Sequence, residues 1–194
     1  MTTTGPGSND ENLDFTSSHP AEASTPTPLQ LEAASKEAAS GGAELRRAGF
    51  YVAIARRAAA KVPPRNGERH AILVVEDDPD LSSLVAEIFS VAGFEVRRAT
   101  NRAEINAEVN KLILPDLILL DIMLPDANGM QILARIRAHP KLARMPVIMM
   151  TGKAESSDVR AGLAAGADGY VTKPFKMSAL MAAVNLVLGR AKDA

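Results

Sequence analysis

The chain has 194 residues, 46% hydrophobic and 23% charged, a soluble globular balance with room for one ordinary domain and an appendage. No apolar run approaches the roughly 18 residues that span a bilayer. With no Cys, disulfides, thiolate catalysis and Cys-ligated metals are excluded, and His19, His70 and His139 lack metal-ligand spacing. The absence of Cys fits a cytoplasmic protein. The net charge of -1 is unevenly spread. Residues 1–44 carry one Lys against seven acidic side chains, or -6; residues 45–70 carry seven basic against Glu68, or +6; residues 71–194 carry fourteen basic against fifteen acidic, or -1.

Residues 1–42 read as a disordered acidic tail. The first 29 are rich in Thr, Ser, Pro and Gly and bury too little apolar surface to offset the entropy of ordering. Leu29 to Lys61 is Ala-rich, so helix is expected despite Gly41-Gly42, and residues 43–69 form a basic helix and linker. Leu45, Ala48, Val52, Ala55 and Ala59 fall on one shallow apolar face. Arg46-Arg47 ahead of an apolar stretch has the look of an export signal, but Arg56-Arg57 interrupts that stretch too soon. Pro63-Pro64 with Asn66-Gly67 ends the helix, and residues 70–194 form the folded domain.

Within that domain strands and helices alternate. Ala71 to Val75 is a β-branched, wholly apolar run suited to a strand buried on both faces. Pro79 opens a helix with Leu81, Leu84, Val85, Ile88 and Phe89 at helical spacing, closed by Gly93. Phe94 to Arg98 reads as strand, Ile105, Val109 and Leu112 as helix, Asp116 to Leu120 as strand and Met130 to Ala138 as helix. Pro146 to Thr151 and Asp168 to Thr172 are strands; Ser156 to Ala165 and Met177 to Arg190 are helices. Five strands alternating with five helices predict a doubly wound α/β domain of about 125 residues with helices on both faces.

In such folds ligands bind beyond the carboxyl ends of the strands. Those ends carry Glu76-Asp77-Asp78, Asp121, Thr151-Gly152 and Lys173-Pro174. Taken alone, the first triplet reads more readily as solvated charges at a helix N-terminus that complement its dipole. Its convergence with Asp121 favours a hard cation such as Mg²⁺, since every donor is oxygen.

Four stretches, Ile72 to Pro79, Pro115 to Gly129, Pro146 to Gly152 and Gly166 to Phe175, resemble in order and spacing the receiver domain of two-component response regulators, over roughly residues 70–190. The resemblance implies a flavodoxin-like five-stranded parallel sheet of order 2-1-3-4-5. It also implies that Asp121 is the phosphoacceptor, forming an acyl phosphate. Asp77 and Asp121 would ligate Mg²⁺ directly with the backbone carbonyl of Met123, and Glu76 would act largely through water. Lys173 would pair with a phosphoryl oxygen and Thr151 would hydrogen-bond another. Thr151 and Tyr170 would form the switch, and the Lys173-Pro174 bond would be cis. Met123 and Lys153 occupy positions that tune phosphoryl lifetime in the family.

The expected function is that of a stand-alone receiver, not an enzyme beyond its own phosphorylation and slow dephosphorylation. Its expected partners are a histidine kinase or histidine phosphotransfer protein and a downstream protein target, with a phosphorylation-dependent dimer as a further possibility. No membrane partner is expected. The alternative is a transcriptional regulator contacting nucleic acid through Arg46 to Arg69, ranked lower because no helix-turn-helix pattern accompanies the charge. A phosphohydrolase of the aspartyl-phosphate type would need a second Asp where Met123 stands.

Overall fold

The computed structural model describes residues 52–54, 62–152 and 156–190. The acidic tail, most of the basic helix and Lys153 lie outside the described residues. The strands are β1 (Val52–Ile54), β2 (Ala71–Val75), β3 (Glu95–Ala99), β4 (Leu117–Asp121), β5 (Val147–Thr151) and β6 (Gly169–Thr172). The helices are α1 (Pro79–Val91), α2 (Arg102–Val109), α3 (Gly129–Ala138), α4 (Ser156–Ala164) and α5 (Met177–Leu188).

One sheet runs β1-β6-β5-β4-β2-β3. Its last five strands are parallel and follow the order expected for the five predicted strands. Alternate residues of the buried strands feed two separate cores, as a pleated strand covered on both faces requires. Leu73, Val75, Ile118, Leu120 and Met149 join Ile105, Leu133, Ile136 and Leu163 on the face of α2, α3 and α4. Ile72, Val74, Leu119, Ile148 and Val171 join Phe89, Val85, Leu180 and Val184 on the face of α1 and α5.

The carboxylates of Asp116 and Asp168, just ahead of β4 and β6, are buried at the opposite end of the sheet from the acidic cluster. Asp116 Oδ2 accepts from the Ala71 N–H at 2.8 Å and its Oδ1 from the Arg65 N–H at 3.0 Å. Asp168 Oδ2 accepts from the Val147 N–H at 2.8 Å and from Arg137 Nη2 at 2.9 Å. The sequence pattern places these two residues in strands; they stand just ahead of them and serve as acceptors at strand entry.

Two further expectations are corrected. Val52–Ile54 is not helical: it pairs antiparallel with β6 in the register Val52 with Val171, Ala53 with Tyr170 and Ile54 with Gly169. Tertiary pairing of an apolar triplet with two β-branched residues, Val52 and Ile54, overrides the helix propensity of its Ala-rich surroundings. Leu112 does not extend α2, which ends at Val109 and is followed by Asn110, whose side-chain amide donates to the Asn106 carbonyl at 2.8 Å. Leu112 is 99% exposed.

Candidate functional site

Each carboxylate reaches the site because a strand ends under it. β2 delivers Glu76 and Asp77, and Asp78 turns away to cap α1, its Oδ1 accepting from the Asp80 and Leu81 N–H groups at 2.9 and 3.0 Å. β4 delivers Asp121, which is 4% exposed; Glu76 is 1% exposed and Asp77 faces solvent. Oxygen atoms of Glu76, Asp77 and Asp121 all lie within 4.8 Å of one another.

Repulsion among these carboxylates is relieved by one ammonium. Lys173 Nζ donates to Asp121 Oδ2 at 2.5 Å and to Glu76 Oε1 at 2.8 Å. Burial pushes the Glu76 carboxyl above its ordinary range, against the lowering pull of Lys173. Burial alone would lower the Lys173 pKa, but its hydrogen bonds to Asp121 and Glu76 outweigh that and raise it. The other Asp121 oxygen, Oδ1, accepts from the Met123 N–H at 3.0 Å.

The donor set fits a hard divalent cation. All three side chains offer oxygen only, and Glu76 Oε2 is buried without a hydrogen-bond partner although it lies 2.7 Å from Lys173 Nζ. Met123 is 60% exposed, and its backbone flanks Asp121 as the Met123 N–H contact shows.

Thr151, at the end of β5, is fully buried, and its side chain shares a hydrogen bond with the Tyr170 hydroxyl. Burial first, and then the charge of Asp158, push the Tyr170 phenol up. The Lys173 N–H donates to the Thr151 carbonyl at 2.6 Å, and the Lys173-Pro174 bond is cis. The structure therefore brings together Glu76, Asp77, Asp121, Lys173 and the Met123 backbone, with Thr151 and Tyr170 linked beside them.

Two glycines contribute in ways the sequence did not reveal. A Cβ on Gly129 would lie 2.3 Å from the Asp121 carbonyl oxygen and 2.7 Å from the Ile122 Cα. Gly129 thus lets the start of α3 press against the backbone carrying Asp121. A Cβ on Gly162 would lie 2.8 and 2.9 Å from Cε2 and Cδ2 of Tyr170, so α4 presents a bare notch to that ring. The only sequence signal for either was a glycine near or within a helical pattern.

A doubly wound parallel core with carboxylates, a hydroxyl and an ammonium at its carboxyl edge defines a receiver-type signalling domain. The family model for the response regulator receiver domain matches residues 72–185, and the chain belongs to that family. Its members are signalling proteins rather than enzymes in the usual sense.

Among relatives, the phosphate regulon transcriptional regulatory protein PhoB of Rhizobium meliloti (strain 1021) is 43% identical over 121 residues, covering 62% of this chain and 53% of the relative. The DNA-binding response regulator MtrA of Mycolicibacterium smegmatis is 39% identical over 125 residues, covering 64% of this chain and 53% of the relative. The chain thus spans about half the length of these curated relatives. Among solved structures, a response regulator from Chloroflexus aurantiacus J-10-fl superposes with a TM-score of 0.59 at 34% identity, covering 63% of this chain and all of that one. The chemotaxis protein CheY4 of Vibrio cholerae gives 0.58 at 27% identity, covering 62% and 99%. The low rank given to nucleic acid finds no support here, since MtrA is named as DNA-binding. Among the described residues no helix is long and apolar enough to cross a membrane.

Proposed function

We propose that this receiver takes a phosphoryl group on Asp121 from a phosphohistidine donor, a histidine kinase or histidine phosphotransfer protein, and passes the signal on through protein contacts. The observation that carries this reading is the setting of the Asp121 carboxylate, buried between Lys173 Nζ at 2.5 Å and the Met123 N–H at 3.0 Å, with Glu76 and Asp77 alongside. A carboxylate oxygen attacks phosphorus, the P–N bond to the donor imidazole breaks, and the imidazole keeps the electron pair. Glu76, Asp77, Asp121 and the Met123 backbone carbonyl would hold Mg²⁺. When bound, that ion supplies charge neutralisation for the phosphoryl oxygens. Lys173 shifts from its present carboxylate partners to a phosphoryl oxygen, and Thr151 donates to another, transmitting the event to Tyr170 through their shared hydrogen bond.

Incubation with Mg²⁺ and a small phosphodonor, followed by intact and peptide mass measurement, tests the assignment. One phosphoryl group is expected on Asp121, none in excess chelator and none in Asp121→Asn. Phosphate elsewhere in Asp121→Asn overturns it.

A second reading, a regulator contacting nucleic acid, is favoured by the printed role of MtrA. Retention of the full chain on DNA that weakens steeply with salt would support it.

A further inference from the structure

The loop from β4 to α3 carries the Met123 backbone that flanks Asp121, and it is tied at three places. At its base Met123 and Asn128 form an antiparallel bridge, and the Gly129 N–H donates to the Ile122 carbonyl at 2.9 Å. On its inner side Leu124 and Ala127 pack against the core on the face of α2, α3 and α4. The third tie lies at the exposed tip and reaches another element: the Asp126 carboxylate accepts from the Arg102 N–H, at 3.1 Å to Oδ2 and 3.3 Å to Oδ1. Arg102 is the first residue of α2. A helix leaves its first N–H groups without partners inside the helix and carries partial positive charge at that end. α2 has caps of its own, with Asn101 Oδ1 accepting from the Glu104 N–H at 3.0 Å and Glu104 Oε2 from the Thr100 N–H at 2.7 Å. The Arg102 N–H is met instead by a carboxylate 24 positions away.

We propose that Asp126 is a positioning residue for the phosphoacceptor site: by clasping the start of α2 it holds the β4–α3 loop so that the Met123 backbone stays against Asp121. The inference rests on the reading given above, in which the Met123 carbonyl joins the Mg²⁺ ligands. Through the same residue the clasp reaches the acceptor itself, since the Met123 N–H donates to Asp121 Oδ1 at 3.0 Å. Mg²⁺ demands near-ideal octahedral geometry. A loop free to swing at its tip therefore costs affinity, although Asp126 touches neither the ion nor a reacting atom.

The test uses the full chain and two pairs of variants, each pair equal in charge, so that a difference within a pair is not a field effect on the cation. Asp126→Ala removes the acceptor, whereas Asp126→Asn keeps an acceptor oxygen. Arg102→Pro removes the donor N–H at the first position of a helix, where Pro is well tolerated, and Asn101 ahead of it is extended, as a residue before Pro must be. Arg102→Ala keeps the N–H. Far-UV circular dichroism confirms the fold, Mg²⁺ affinity is measured by calorimetric titration with the metal alone, and hydrogen exchange of the Met123 amide is read in chelator. Asp126→Ala should bind Mg²⁺ about two- to fivefold more weakly than Asp126→Asn, and Arg102→Pro than Arg102→Ala, with Met123 exchange faster by a similar factor. The double variant Asp126→Ala/Arg102→Pro should show no more than one such loss. Should Arg102→Pro disturb α2, the Asp126 pair decides by itself. A contact that merely stabilised the fold would leave the Mg²⁺ affinity of the folded chain unmoved, so equal affinities within the Asp126 pair, or additive losses in the double variant, overturn the proposal. A wild type that binds no Mg²⁺ refutes the reading of the site instead, and Met123 exchange, which needs neither metal nor phosphodonor, still reports on the clasp.

Discussion

Placing a methyl group at Gly162 sets two effects of opposite sign against each other. In a helix interior Ala is favoured over Gly by about 1 kcal/mol, so on propensity alone Gly162→Ala stabilises α4. The Tyr170 ring opposes it: the new Cβ would lie 2.8 Å from Cε2 and 2.9 Å from Cδ2, inside the ordinary contact of about 3.5–4.0 Å. The ring has little freedom to withdraw, being fully buried with its hydroxyl bonded to Thr151. Overpacking of this kind costs about 1–3 kcal/mol, so the net change is a destabilisation of up to about 2 kcal/mol. In a Tyr170→Val background both clashing ring atoms are gone while a strand-favouring side chain remains. There Gly162→Ala should stabilise by about 1 kcal/mol. Urea denaturation of the four proteins closes the cycle. With a slope of about 2 kcal/mol per molar, the coupling of about 1–3 kcal/mol appears as a midpoint difference of about 0.5–1.5 M. If Gly162→Ala shifts the midpoint equally in both backgrounds, the notch does not seat the ring.

Gly129→Ala should be more severe, because its Cβ meets backbone, the Asp121 carbonyl oxygen at 2.3 Å; a loss of about 3 kcal/mol or more is expected, and an unchanged urea midpoint would refute it. The Glu76 carboxyl is raised in the folded state by burial, so the native chain holds that proton more tightly than the unfolded one. Its contribution to stability is therefore fullest at acid pH and is lost as pH rises from the ordinary carboxyl value through the raised one. Glu76→Gln removes this slope, so urea midpoints measured in chelator across that window should diverge between variant and wild type; parallel curves would count against the shift. Burial likewise raises the Tyr170 phenol, so in a Tyr51→Phe background phenolate absorbance should appear only with alkaline unfolding. Titration ahead of the loss of far-UV circular dichroism would contradict the buried setting.

Four of the five parallel strands, β2, β4, β5 and β6, were legible because their runs are short, largely apolar and buried throughout, which suits strands covered on both faces; β3, with Arg97 and Arg98, has no such run. The acidic site was legible for a related reason, since Glu76, Asp121, Thr151 and Lys173 each stand at or just after the end of such a run. β1 escaped notice because Val52, Ala53 and Ile54 sit among residues that favour helix, and what makes them a strand is the β6 edge, far away in sequence. Leu112 misled because the spacing from Ile105 and Val109 is helical, yet the helix has already ended at Asn110. Gly129 and Gly162 matter through close approaches of other segments, which no local pattern encodes. Asp116 and Asp168 read as polar strand starts, and their acceptor role depends on which strand lies beside them.

The two latches formed by those aspartates bear on the acidic pocket from the far end of the sheet. Asp116 ties the start of β2 to β4, and Asp168 ties the start of β5 to β6. Each strand advances about 3.3 Å per residue, and a slip of one residue would carry its terminal side chain that far and turn it to the opposite face. The alignment of Glu76 with Asp121, and of Thr151 with Lys173, is therefore set where the strands begin. Site tolerances of a few tenths of an ångström become a property of the whole strand length, and a substitution remote from every reacting atom can detune the pocket.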